Sequence, residues 1–465
     1  MRVYALYVFT LILMGAAMRD WFIGACGLLL TSLILEHPDY PNSMLGVSGV
    51  NPWNILFIWV VVLWMTQRPH EPAAPPMPRA ARLLIGGYVA ALTIAVAMGV
   101  AGAWGGSGKG MTVGSLVMDY FLNPMKIVVL GYLIFDGAKT PGRQVATMTC
   151  VVVSALVTSA LALKYRLATG LSGDFMRGRQ RLGNEVGLHA NQMAWVLAGT
   201  FWGLVAMVGL WKRRWMRWAT AAAAALPGLA TLVVQSRAGY LALGMTGLVM
   251  GVVRWRKLLI LLPAGALGVL LLVPSVADRL MMGIDPAHSP MGQTQYDLEV
   301  ITAGRTDVLW PPVIDVILQS PLIGHGRVSI LRTSARGRIE AAIGVCPTHP
   351  HNAVLEVLSD SGVLGGGLII AFYAGFVLVS MRLFRQWHSP LATAVGGVAL
   401  ALVTARLVTG VSGHSYYPIR SMFGLFAMGG LALRVATNAA ATARTRAAPV
   451  SASTAALSLA PPRPA

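Results

Sequence analysis

Repeated apolar runs, each long enough to cross about 30 Å of hydrocarbon as a helix, constrain this chain more than anything else in it. They lie at 82–103, 113–135, 144–165, 189–211, 216–234, 257–274, 354–381, 391–411 and 418–436, with shorter runs at 52–66 and 238–253. Two N-terminal runs, 2–18 and 20–35, are each slightly short and meet at Arg19 and Asp20. The expectation is an all-α polytopic membrane protein with about 12 transmembrane helices. Composition agrees: 56% of the residues are hydrophobic, 11% are charged and the mean hydropathy is +0.66, more than a soluble domain can bury. No cleavable signal is evident, since Arg2 is the one basic residue at the start and no convincing A-x-A site precedes a soluble domain.

The formal net charge is +19, and six of the 36 basic residues are lysine, a pattern that positive-inside topology in an arginine-rich chain largely explains. The clusters at 211–214, 254–257, 382–385 and 434–446 read as cytoplasmic ends, and Arg68, Arg79, Arg82, Lys139 and Arg143 fit the same side. No nucleic-acid partner is expected. Those ends place 166–188 and 275–352 on the opposite, extracytoplasmic face. The chain therefore divides into transmembrane helices at 1–274, a large outer-loop subdomain at 275–352, C-terminal helices at 353–436 and a disordered cytoplasmic tail at 437–465. The proline-rich stretch 69–80 reads as an extended cytoplasmic linker. Cys26 and Cys150 fall within apolar runs and only Cys346 lies in a loop, so no disulfide framework is available. No internal repeat of fixed period is visible, which disfavours inverted-repeat transporters.

The segment 275–352 is too long for a passive connector. Its stretch from Arg305 to Leu318 spaces apolar residues helically around Pro311 and Pro312, predicting a broken or interfacial helix that ends in a turn at Ser320–Gly326. The segment closes on His351 and Asn352, which begin the pattern H-N-x9-G-x-x-G where the loop re-enters an apolar run at Gly362 and Gly365. A titratable imidazole at the mouth of a membrane span is expensive unless used. It reads either as a base or as a helix cap, and Asn352 is equally able to cap. His349 and His351 could both be metal ligands, but no carboxylate or cysteine follows at a familiar ligand spacing and no D-x-D triplet occurs, so a metal-free mechanism without a cofactor is preferred.

Arginines on the outer face are the second signal. Arg177, Arg179 and Arg181 crowd the 166–188 loop, Arg237 sits in the tight turn between two spans, and Arg305, Arg327, Arg332, Arg336 and Arg338 stud the large loop. Short extracytoplasmic loops usually lack basic residues, and guanidinium forks match diphosphate oxygens. Asp119, Lys126 and Arg406 lie inside spans and read as helix braces.

Taken together and in this order, Ser236–Gly239, Thr302–Thr306 with Trp310, Ser320–Gly326 and the His351 motif resemble the bacterial O-antigen ligase and polymerase superfamily of membrane glycosyltransferases, over about 180–370. The resemblance implies a GT-C-like all-helical membrane fold with one large periplasmic loop, an inner-membrane location with the site facing the periplasm, and an undecaprenyl diphosphate-linked O-antigen donor. It carries a catalytic role onto His351 and diphosphate-binding roles onto Arg237 and Arg305, with Arg177, Arg179, Arg181 and Asn352 as further substrate contacts. Where many relatives have an Asn-Pro-Asn type segment, this chain has Leu188-His189-Ala190-Asn191.

The expected reaction is attack by an acceptor hydroxyl on the anomeric carbon of the donor, with lipid diphosphate leaving, His351 as base and arginines on the phosphates. With lipid A-core as acceptor the enzyme is a ligase in lipopolysaccharide biosynthesis; with another repeat unit it is a polymerase. The motif spacing and the single large loop resemble the ligases more. From a different class, a polyprenyl-diphosphate-glycan flippase would also bind diphosphates, but it predicts charges distributed along the spans. Membrane lipids are the remaining partners, and the oligomeric state is left open.

Overall fold

The computed structural model describes residues 2–35, 37–44, 47–104, 111–169, 175–281, 305–413 and 415–447. The helices in chain order are α1 (Arg2–Arg19), α2 (Trp21–Thr31), α3 (Pro52–Gln67), α4 (Arg79–Trp104), α5 (Val113–Gly137), α6 (Pro141–Thr169), α7 (Phe175–Val186), α8 (Ala190–Met207), α9 (Arg214–Val233), α10 (Arg237–Val253), α11 (Leu258–Leu272), α12 (Pro274–Met281), α13 (Trp310–Gln319), α14 (Ala335–Ile343), α15 (Ala353–Phe384), α16 (Pro390–Gly410) and α17 (Phe423–Ala447). Strand pairing among the described residues is confined to a hairpin of Ser43–Met44 with Val47–Ser48.

Seven helices among the described residues are long and apolar enough to cross a membrane: α4, α5, α6, α8, α15, α16 and α17. An eighth follows if α11 and α12, bent by 101°, form one broken span. The protein is thus an all-α, multi-pass membrane protein, with seven or eight candidate crossings among the described residues against the expected dozen. The shortfall has local causes. At Arg19 and Asp20 the helix stops rather than continues, because the Asp20 carboxylate caps α2 by accepting from Phe22 N at 2.9 Å and pairs with Arg143 at 2.9 Å. The 17 residues of α10 span about 25 Å at 1.5 Å per residue, short of a bilayer core. The charged first turn of α9 (Arg214, Arg217) is followed by an alanine-rich run of modest hydropathy.

Helix α16 lies at the centre, packed on α8, α10 and α15. Glycines set these approaches: a methyl on Gly199 of α8 would meet Leu402 at 2.8 Å, and one on Gly396 would meet Leu383 at 2.7 Å. In lipid such close backbone contact is a main source of helix association. Arg406, fully buried in α16, donates to the Ser415 carbonyl and lies 5.7 Å from the Trp195 ring, so it braces the chain beyond α16. Lys126 donates to Asn54 Oδ1 at 2.9 Å and to Asn123 Oδ1 at 2.8 Å, and Asn123 in turn donates to Asp119 at 3.4 Å.

One end of the bundle carries an ion-pair network: Arg68 with Asp136 at 2.7 Å, Lys139 with Glu71 at 2.8 Å, and Arg143 with both Asp20 and Glu71. At the same end the proline-rich stretch is tied down, its Pro72 and Pro75 carbonyls accepting from Lys139 and Arg434. The tail expected to be disordered from 437 instead continues α17 to Ala447, and 448–465 lie outside the described residues.

Candidate active site

The expected loop subdomain, of which 282–304 lie outside the described residues, has a small core of its own formed by Leu309, Val313, Val316, Ile330, Ala335 and Ile339. Its predicted broken helix is a π turn at Arg305–Leu309 followed by α13. Pro311 and Pro312 fall in the first turn of α13, where a missing N–H costs nothing. The Ser320–Gly326 turn then docks into a break in α15.

That break is at Gly362, whose φ of 60° and ψ of −168° interrupt the helix. In an unbroken helix the Ser359 and Asp360 carbonyls would accept from residues 363 and 364. Here they accept from His325 N at 2.8 Å and Gly326 N at 2.9 Å, while Val363 N and Leu364 N donate to the Pro321 and Leu322 carbonyls at 2.8 and 3.1 Å. The turn thus satisfies all four groups that the break frees, which a membrane interior requires. Only glycine fits at the crossing: Gly324 has φ +71° and a methyl there would sit 2.6 Å from the Asp360 backbone, and one on Gly362 would overlap the Leu322 carbonyl.

Beneath this clip lies a buried ion cluster. Arg327 Nη1 donates to Glu356 Oε1 at 2.7 Å and to Asp360 Oδ2 at 2.6 Å, and its guanidinium lies 4.1 Å from the Tyr417 ring centre. The Asp360 carboxylate also accepts from Val328 N at 3.2 Å and Ser329 N at 2.9 Å. Arg327 N donates to the Ala95 carbonyl at 2.6 Å, joining the loop to α4. The cluster fixes the loop against the first turns of α15, and so fixes what precedes them.

What precedes them is His351. Asn352 is the cap of α15, its side-chain oxygen accepting from Val354 N at 2.9 Å and Leu355 N at 3.2 Å, so the capping alternative falls to Asn352 and not to the histidine. The Pro350 carbonyl accepts from Trp310 Nε1 at 3.0 Å, pinning the loop to α13. His351 itself has φ +52°, a left-handed conformation uncommon outside glycine but open to histidine more than to most residues, and its N–H donates to His349 Nδ1 at 3.2 Å. The two imidazoles meet edge to face with centres 4.3 Å apart. Burial, then His349, Arg305 and His189, push the His351 pKa down to about 3, so the ring is neutral at ordinary pH.

Arg305 Nη1 donates to the Ser412 carbonyl at 2.8 Å, beyond the C-terminus of α16, and no carboxylate pairs with it among the described residues. Burial lowers its pKa, yet a guanidinium stays charged. Arg237 opens α10, capped by Ser236, and donates from Nε to the Arg279 carbonyl at 2.8 Å. Ser236 also donates to Asn191 Oδ1 at 2.9 Å, and His189 Nδ1 accepts from Asn191 N at 3.3 Å. The N-termini of α8 and α10 are therefore tied together, and His189 places that of α8 within electrostatic reach of His351 at the N-terminus of α15. Helix N-termini carry partial positive charge, which adds to Arg305.

The other arginines fare differently. Arg332 donates to the His325 and Arg327 carbonyls, Arg336 pairs with Glu340, and Arg338 pairs with Asp315, so these three serve the loop's own structure. Arg181 is exposed on α7; Arg177 and Arg179 belong to the same helix, but their side chains lie outside the described residues, as do Thr302, Ala303 and Gly304. The metal-ligand alternative finds no additional side chains: among the described residues no three His, Cys, Asp or Glu groups converge.

Residues 221–370 match the O-antigen ligase family model. The match covers Arg237, Arg305, the clip, Arg327 and His351, and supports membership of the O-antigen ligase and polymerase superfamily. The match supports, at a coarse level, an enzyme of the membrane glycosyltransferase-like kind. No curated protein matches the chain.

Two features of the site escape the sequence reading, one within the matched segment and one N-terminal to it. Glu356 and Asp360 are carboxylates spaced i, i+4 just inside a membrane helix, a cost that signals a buried cation partner, and Arg327 is that partner. His189 is the other; its segment was noted only as a departure from the family pattern.

Proposed function

We propose that the protein is an O-antigen ligase. It transfers O-antigen from undecaprenyl diphosphate to lipid A-core at the periplasmic face of the inner membrane, within a GT-C-like architecture. The observation that carries this reading is a neutral, strained histidine beside an arginine that is held by a backbone carbonyl rather than by a carboxylate. Such an arginine keeps its charge for an incoming anion. The donor's diphosphate sits against Arg305, with Arg237 as the second clamp and the N-termini of α8, α10 and α15 behind it.

Chemistry follows from this placement. The acceptor hydroxyl gives its proton to His351 as its oxygen bonds to the anomeric carbon, and the carbon–oxygen bond to the diphosphate breaks. A free-site pKa of about 3 makes a weak base, but two phosphates near the ring offset its cationic neighbours and raise its basicity once the donor is bound. The arginines stabilise the negative charge that develops on the leaving diphosphate, so no step needs a metal or a cofactor. Arg177, Arg179, Arg181 and Asn352 contribute outer contacts to glycan or phosphate.

Lipopolysaccharide gel analysis of a deletion strain tests the reading. A ligase leaves lipid A-core with no O-antigen bands, restored by the wild-type chain. Core carrying one repeat unit identifies a polymerase instead.

A further inference from the structure

A small cavity lies in the packed interior where α6, α8, α16 and the turn leading into α17 meet, lined in part by Ser154, Ala155, Trp195, Thr200, Leu402 and Ser421. Three of these residues carry polar atoms that no protein group satisfies. Ser154 Oγ, Trp195 Nε1 and Ser421 Oγ are buried with no hydrogen-bond partner among the described residues, and their residues are 3%, 1% and 3% exposed. Buried polar groups without partners are rare, and a membrane bundle offers them no bulk water. The lining positions turn the serines inward. Ser154 follows Val151 by three residues on α6, and Ser421 precedes Gly424 and Leu425 by three and four, so each shares a face with other residues that line the cavity. Trp195 reaches it from α8, beside Thr200.

The chemistry of the three groups selects the occupant. An indole N–H only donates, whereas a serine hydroxyl both donates and accepts, so whatever sits between them accepts from Trp195 and exchanges hydrogen bonds with the serines. None of the lining residues is charged, which favours a neutral occupant over an enclosed ion, and the space is large enough for one water molecule. A buried water makes about three hydrogen bonds, the number of groups waiting here. We propose that the cavity binds one ordered water, which accepts from Trp195 Nε1 and hydrogen-bonds to Ser154 Oγ and Ser421 Oγ. This water joins α6, α8 and the turn into α17 at a point where no direct side-chain bond links these three groups. Trp195 lies one turn along α8 from Asn191, which accepts from Ser236, so the water steadies the same end of α8 that is tied to α10. The guanidinium of Arg406 is 5.7 Å from the Trp195 ring centre, which makes chloride the competing occupant. The site depends on the packing of the bundle and not on the glycosyl-transfer reading.

The test uses the full chain in lipid bilayers with isotope-labelled tryptophan, and solid-state NMR that reads magnetisation transfer from water to each indole N–H; Trp195→Phe assigns the resonance. The Trp195 N–H should receive magnetisation from water despite its burial, and Ala155→Val, which fills the cavity, should abolish the transfer. Thermal unfolding gives a second readout. With the water bound, Ser154→Ala and Ser421→Ala each remove one of its hydrogen bonds and should each lower the thermal midpoint, on the order of 1 to 3 °C. The pair should lower it by less than the sum of the two, because the first loss already loosens the water they share. In a dry cavity the same changes delete an unsatisfied hydroxyl, and the midpoint would hold or rise. Exchanging chloride for gluconate should leave the Trp195 resonance in place. No transfer from water to Trp195, a midpoint that holds or rises in both serine variants, or a Trp195 resonance that moves with chloride would each overturn the proposal; the serine variants decide the matter if Ala155→Val does not fold.

Discussion

Two arginines at one end of this bundle and one at the other are held in opposite ways. At one, Arg68 and Arg143 are matched by Asp136, Asp20 and Glu71, so their charge is spent within the fold. At the other, Arg305 is oriented by the Ser412 carbonyl, which fixes a guanidinium without neutralising it. Arg327 is an internal control, close in sequence to the site yet fully compensated by Glu356 and Asp360. A carbonyl partner alone does not mark a ligand-binding arginine, since Arg332, Arg406 and Arg434 are held by carbonyls as well; Arg305 differs from them in acting on the His351 ring. A buried pair is expensive to break and contributes little if both members are replaced, whereas a carbonyl-held cation can donate its strength to a ligand.

The largest expected effect lies at the histidine. His351→Ala should cut transfer by about 10²- to 10⁴-fold with the protein still inserted and folded, while His349→Ala should be far milder because one imidazole suffices. Near wild-type turnover by purified His351→Ala would remove the base. Arg327→Ala is next and of another kind: leaving Glu356 and Asp360 buried without their cation should cost about 3 to 5 kcal/mol of stability, read as a fall in the thermal midpoint. If Arg327→Ala unfolds like wild type but loses donor affinity, the contrast between the two kinds of arginine collapses.

Arg305→Lys sharpens the comparison, since it keeps the charge and loses the fork. A lost charge-assisted contact is worth about 1.5 to 3 kcal/mol, hence roughly ten- to hundredfold in donor affinity or rate, whereas Arg68→Lys should be near neutral for transfer. Equal behaviour of the two would make Arg305 an ordinary surface arginine. The smallest expected effect is on pH dependence. A base whose pKa is about 3 in the free site stays deprotonated as pH falls, so kcat/KM should be flat from about pH 8 to about pH 5, while kcat, which reports the donor-bound state, gains an acid limb. A fall in kcat/KM centred near 6.5 would mean that His351 is an unperturbed histidine.

Much of this is legible in the sequence, and the reasons are physical. Long apolar runs can only be helices in lipid, so α4 to α6, α8 and α15 to α17 were readable from hydropathy. The crossings over-read were those where polar local chemistry intervenes, as at the Asp20 cap, or where a run is too short or bends, as in α10 and at the α11–α12 junction. At the site, His351, Arg237 and Arg305 announced themselves as ionisable groups in costly places. Whether each was compensated was invisible, because Arg327 meets its carboxylates 29 and 33 residues away, through a clip that forms only when α15 breaks at Gly362.

The central claim is that Arg305 holds a diphosphate next to a histidine kept neutral until it arrives. NMR titration of ring-labelled His351, in the full chain in nanodiscs, tests it directly with undecaprenyl diphosphate present or absent. The account predicts an imidazole that does not protonate down to about pH 4 alone, titrates at clearly higher pH with the lipid diphosphate bound, and loses that rise in Arg305→Gln. An imidazole titrating near 6.5 in the free protein, or one indifferent to the diphosphate, would contradict it.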